Sequence, residues 1–244
     1  MQHYVYLLVN FLTVIVCFVF SFHPKIKFYL YFRAFAKASL LVAVFFILWD
    51  VWFTRTGVWW FNERYILGIY FFHLPLEEVL FFICIPFSCI FTYFCMDRFL
   101  RIRVSERIER LVVFFSMFFS LLICSLYPGR LYTLVTFCTT FFTLGMLYFV
   151  LRVNWIGKAS LVYSILMIGF FIVNGVLTGT GLTEPIVNYN PEELLNVRLL
   201  TIPVEDAVYG YEMFLWNVFF FLYFSKSLKD RRRAQKSSTS EAHG

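Results

Sequence analysis

Seven stretches of this chain stay apolar long enough to cross the ~30 Å hydrocarbon core of a bilayer, and no other feature constrains the fold so tightly. They lie near residues 4–22, 36–53, 74–94, 111–127, 131–151, 159–177 and 202–224. The fourth is the shortest, because Pro128 and Gly129 stop it. Backbone polar groups in hydrocarbon must be paired within their own segment, so each run is expected to be a helix. Little chain is left between the runs. Of 244 residues, 61% are hydrophobic and 23% aromatic, and the mean hydropathy is +0.75. Soluble domains hold roughly 45–50% apolar residues. The sequence therefore predicts an all-α membrane protein with seven transmembrane helices and no separate soluble domain. The first run, Tyr4 to Phe22, has no basic segment before it and no small-residue cleavage motif after it, so it is expected to be a retained helix. Six cysteines (Cys17, Cys84, Cys89, Cys95, Cys124, Cys138) sit in or beside apolar runs without metal or disulfide spacing and read as small core residues.

The net charge of +6 is distributed as a topology signal. With the N-terminus outside, seventeen of the 21 Lys and Arg fall in inner loops and the C-terminal tail. Only Arg55, Arg64, Arg130 and Arg198 fall outside. The positive-inside rule then predicts a multi-pass protein of the cell membrane, N-terminus out and C-terminus cytoplasmic. Its basic loops read as solvated or lipid-headgroup faces and not as a nucleic-acid surface. The Ser-rich polar tail, 226–244, is expected to be disordered.

One device occurs twice. Asp50-x-x-x-Thr54-x-Thr56-Gly57 follows the second run, and Asn174-x-x-x-Thr178-x-Thr180-Gly181 follows the sixth. "LPLEE" (Leu74 to Glu78) opens the third run, and "IPVED" (Ile202 to Asp206) opens the seventh. The chain thus reads as two three-helix repeats, residues 1–110 and 131–225, joined by a linker helix at 111–130. An odd linker makes the repeats parallel, related by an axis along the membrane normal. Both carboxylate pairs then open on the same membrane face.

Proline suits a helix start, and acidic residues in the first turn complement the helix dipole. Capping accounts for one carboxylate at each site. It accounts less well for two, at matching offsets from matching prolines. Ionisable groups at membrane depth are by default functional, so Glu77, Glu78, Glu205 and Asp206 are the candidate catalytic residues. Close carboxylates in a dry site do not easily ionise together. Such a set can offer a proton to an apolar substrate and take one back. Trp49, Trp52, Trp59, Trp60, Phe61 and Tyr65 crowd the first outer loop. Most suit an interfacial aromatic belt. Trp49, beside Asp50, is the best candidate for stabilising a cation. Thr54, Asn62, Thr178 and Asn190 either orient the carboxylates or serve ordinary turn chemistry. Arg198 either pairs with Glu205 or meets lipid headgroups. His73 lies four residues before Glu77, but the second repeat has Leu199 in its place, so no metal is expected. "GTGLTE" (Gly179 to Glu184) lacks a third glycine and a βαβ context, so no nucleotide cofactor is expected.

The doubled Pro-apolar-acidic-acidic openings and the Asp50-x-x-x-Thr54-x-Thr56-Gly57 element resemble the membrane-integral lycopene cyclases. That family occurs as two small subunits and as fused single chains, and this chain, with both halves in one, resembles the fused form. The resemblance spans residues 1–225 and implies a scaffold like that of helical prenyltransferases. It implies conversion of linear ends of lycopene, drawn from the bilayer, to β-ionone rings without cofactor or net redox change. It places the acidic pairs at Glu77, Glu78, Glu205 and Asp206, with Asp50 at the family's polar position. Asn174 departs from that position in the second half, which implies one asymmetric centre. Which carboxylate is acid and which base stays open at this stage. So does the choice between β and ε rings and between C40 and C50 substrates. Two other classes fit the same layout: a membrane prenyltransferase, which needs an Asp-rich magnesium motif the chain lacks, and a non-enzymatic carotenoid- or lipid-binding protein or small transporter.

Overall fold

A computed structural model describes the backbone of residues 2–241 and the side chains of residues 2–226. Seven helices dominate it: α1 (Val5–Ser21), α2 (Phe32–Thr56), α3 (Leu76–Leu100), α4 (Glu106–Leu126), α5 (Leu131–Gly145, extended by one π-helical turn, Met146–Val150), α6 (Ile156–Leu177) and α7 (Val204–Glu241). Among the described residues, six helices are long and apolar enough to cross a membrane. The seventh, α7, carries Glu205, Asp206, Glu212 and Asn217 in its first half. The tail expected to be disordered, 226–244, continues α7 as far as Glu241; the side chains from residue 227 on lie outside the described set.

Local chemistry sets the helix ends. Pro75 caps α3 in an extended conformation, with Glu77 and Glu78 in the first turn. Pro203 immediately precedes α7, whose first turn holds Glu205 and Asp206. Ser105 caps α4 with a hydroxyl that accepts from the Ile108 N–H. Gly57 ends α2 at φ 75°, where a β-carbon would be strained. α2 and α3 run several residues beyond the apolar runs at 36–53 and 74–94, because Arg33 and Arg98 continue a helix readily at its rim.

The loops between α2 and α3 and between α6 and α7 contain short antiparallel ribbons. In the first repeat, β1 (Trp59–Phe61) is followed by the β2 (Tyr70–Phe71) and β3 (Leu74–Pro75) pair. In the second, β4 (Val187–Tyr189) is followed by the β5 (Arg198–Leu199) and β6 (Ile202–Pro203) pair. β1 and β4 pair with each other, Trp60 opposite Asn188. Beyond that ribbon, the Asn62 N–H donates to the Ile186 carbonyl and the Asn190 N–H to the Val58 carbonyl, each at 2.8 Å. Equivalent strands pairing antiparallel, with reciprocal bonds, require a local two-fold axis between the repeats. The parallel two-repeat arrangement is thus written into the backbone.

Two buried clusters fill the bundle. One, around Tyr6, Phe46, Phe53, Trp59 and Tyr132, underlies the ribbons. The other, around Phe28, Phe35, Ile90, Phe214 and Phe221, fills the opposite end. The linker α4 packs on α5 and α6 and turns Phe115 and Phe118 outward.

Candidate active site

The ribbons roof a cavity of about 180 Å³ at the start of α3 and α7. Asp50 of α2, Glu78 of α3 and Asp206 of α7 line it, with Asn174 of α6. All four are buried. Each repeat therefore sends polar groups into one shared, otherwise apolar space. A single centre is what the two-fold produces when both carboxylate pairs lie beside its axis.

The two members of each pair face different ways. Glu77 and Glu205 are fully buried and do not line the cavity. The Glu77 carboxylate accepts the Leu67 N–H at 2.7 Å. Glu205 accepts the Leu195 N–H at 2.6 Å and the Thr133 hydroxyl at 2.7 Å. Both tie the loop ten residues upstream to the head of the helix. Glu78 and Asp206 turn inward instead. Tyr6 of α1 donates to Glu78, and Tyr132, at the matching place in α5, donates to Asp206 at 2.7 Å. Asp206 also receives Asn174 Nδ2 and the Tyr189 hydroxyl, each at 2.8 Å. Burial and the neighbouring Asp206 push the Tyr189 hydroxyl well above 10, so it remains a donor at any working pH. Asp50 lies within electrostatic reach of Glu78, and its Oδ2 has no protein partner.

Three donors converging on Asp206 stabilise a negative charge there. A buried carboxyl oxygen with no partner, as at Asp50, is costly as an anion. The halves thus differ: Asp50 has an oxygen without a partner, Glu78 takes a hydrogen bond from Tyr6, and Asp206 takes three. Aromatic rings wall the site. Tyr132 lies stacked on Tyr189 at 6.2 Å and edge-on to Trp59 at 5.1 Å. Tyr209 meets Trp49 edge-on at 5.1 Å. Such faces stabilise a desolvated cation by ~2 kcal/mol or more.

The other expected residues lie around this centre. Trp49 sits behind Tyr209 and Phe46, outside the lining; Trp59 holds the wall. The Thr54 hydroxyl accepts Trp59 Nε1 at 3.1 Å and so orients that ring. Thr178 donates to the Asn174 carbonyl at 2.8 Å and contacts Thr201. Asn62 and Asn190 cap matching single turns, Glu63–Tyr65 and Pro191–Glu193. Arg198 donates to the Thr201 carbonyl and lies over Tyr189. Among the described residues the ion pair is Lys158 with Asp97, so Arg198 does not pair with Glu205. His73 is exposed in the β2–β3 turn and shares no helix face with Glu77. Four tyrosines escaped the sequence reading: Tyr6, Tyr132, Tyr189 and Tyr209. Tyr6 and Tyr132 hold matching places in α1 and α5, and that recurrence is the signal that marks them.

Fold and site together define a two-repeat helical membrane protein with a carboxylate-lined apolar cavity. Residues 3–96 and 129–224 match the lycopene cyclase family, and the chain belongs to that family. The unmatched segment between them contains α4. No curated protein and no solved structure matches the chain.

Proposed function

We propose that this carotenoid cyclase forms β-rings from the linear ends of lycopene by acid–base chemistry at one asymmetric centre. The observation that carries this reading is the meeting of Asp50, Glu78 and Asp206 in one aromatic-walled, apolar cavity. Asp50 and Glu78 form the acid side, and Asp206, held by Tyr132, Tyr189 and Asn174, is the base. The acid delivers its proton to the terminal C=C of the polyene, leaving a tertiary cation. The next alkene attacks that cation, a ring bond forms, and the charge moves into the ring. Asp206 then removes a ring proton, and its electron pair becomes the ring double bond. One proton enters and one leaves, so no electrons are exchanged and no redox cofactor is consumed. The reaction ends with the proton on Asp206, and its return to the acid side resets the site.

Glu77 and Glu205 act as positioning residues that hold the outer loops, and through them Trp59 and Tyr189, over the cavity. The proposed orientation puts this face outside and the basic loops at 98–110 and 152–158 in the cytoplasm. Liposomes carrying the purified protein and lycopene, without flavin or nicotinamide, test the reading. β-Carotene should appear. Unchanged lycopene, or turnover only with a reduced cofactor as a stoichiometric reactant, contradicts it.

A further inference from the structure

The cavity does not stop at the carboxylates. Its lining continues down α3 to Cys89 and down α7 to Asn217. Each lies eleven residues beyond the carboxylate on its helix, which is roughly 16 Å along the axis. On one side this lower part meets α6, through Leu166, Gly169, Phe170 and Val173. Gly169 is exposed on the outside of the bundle and lines the cavity as well. A β-carbon there would meet nothing within 4 Å. Neither packing nor backbone geometry therefore calls for glycine, which is unfavourable inside a helix. Its neighbours Ile165, Ile168 and Ile172 point away from the protein.

The two-fold axis supplies an internal control. Gly169 stands five residues before Asn174, and Phe45 stands five before Asp50. Ser88 stands ten after Glu78, and Trp216 ten after Asp206. Phe45 and Trp216 line a separate groove on the opposite face, and that groove reaches none of Asp50, Glu78 or Asp206. Where one face has Gly and Ser, the other has Phe and Trp. The cavity and that groove share no lining residue.

We propose that the carotenoid enters from the bilayer through the seam where α6 faces α1 and α3. Gly169 then sets the width of the opening, and the rest of the polyene trails past it into lipid. This rests on the cyclase reading and adds its access route. A linear hydrocarbon end fits such a slot, because the lower wall is apolar apart from Thr13, Ser88, Cys89, Tyr163 and Asn217.

The experiment compares wild type, Gly169→Phe, Gly169→Ala and Phe45→Ala in liposomes across a range of lycopene contents. The space at Gly169 predicts that all fold, and thermal unfolding checks it. Gly169→Phe should lower kcat/KM by about tenfold or more, chiefly through KM. Gly169→Ala should fall between wild type and Gly169→Phe, and Phe45→Ala should stay near wild type. In Gly169→Cys, a bulky maleimide should inactivate, and lycopene should protect; the wild type, with its own cysteines, is the control. Wild-type kinetics in Gly169→Phe, or no inactivation of labelled Gly169→Cys, overturns the access route and leaves the cyclase reading intact. Wild-type protein inert toward lycopene overturns the cyclase reading itself.

Discussion

Asp206 and Asp50 are the same kind of residue in opposite surroundings, and the difference lies in their donors. Replacing Tyr132 or Tyr189 by Phe removes one hydrogen bond from Asp206 and leaves the ring. A hydrogen bond to a charged group is worth ~1.5–3 kcal/mol, so each variant should turn over at least about tenfold more slowly, with lycopene KM nearly unchanged. Asn174→Asp should also be slow, because it replaces a donor with a second carboxylate against Asp206. Steady-state rates in liposomes check both. At this scale the sequence was half legible. Charge beside proline at the head of an apolar run is conspicuous, and it marks Glu77, Glu78, Glu205 and Asp206. It does not say which member of a pair faces inward, since that depends on where the loop ten residues upstream lies. The tyrosines were hidden by abundance: among 34 Phe and 15 Tyr, one more ring carries no signal.

The elements with the least sequence signature are the ribbons. β1 and β4 have three residues each, too short for an alternating pattern to show. Their pairing is set by the two-fold and not by propensity. The helices, by contrast, were legible from length and hydropathy, with ends displaced only where charged residues extend them past the lipid boundary. Gly57 ties the two levels together. At φ 75° it ends α2 and sends the chain into β1. Gly57→Ala should cost about 1 kcal/mol of stability, because a side chain is strained in that conformation. Thermal unfolding in detergent measures it. Activity should fall with it, since β1 carries Trp59.

For the whole molecule, the parallel repeats place both acidic pairs on one face, and the orientation proposed from the basic residues puts that face outside. Reporter fusions at residue 105 should therefore read cytoplasmic; an external reading there contradicts the orientation. The repeat was legible because the same motifs recur in the same order. The asymmetry within it was legible only as Asn174 in place of Asp50, whereas the separation of the cavity from the groove lined by Phe45 and Trp216 required the fold. In the proposed mechanism the inward carboxylates do the chemistry and the outward ones hold the loops. The most direct measurement is β-carotene formation in liposomes by Glu78→Gln, Asp206→Asn, Glu77→Gln and Glu205→Gln, all confirmed folded. Positioned acid–base groups contribute roughly 10²–10⁴-fold, so Glu78→Gln and Asp206→Asn should fall by that order. Glu77→Gln and Glu205→Gln should lose stability before rate. Near wild-type rates in Glu78→Gln and Asp206→Asn would contradict the account.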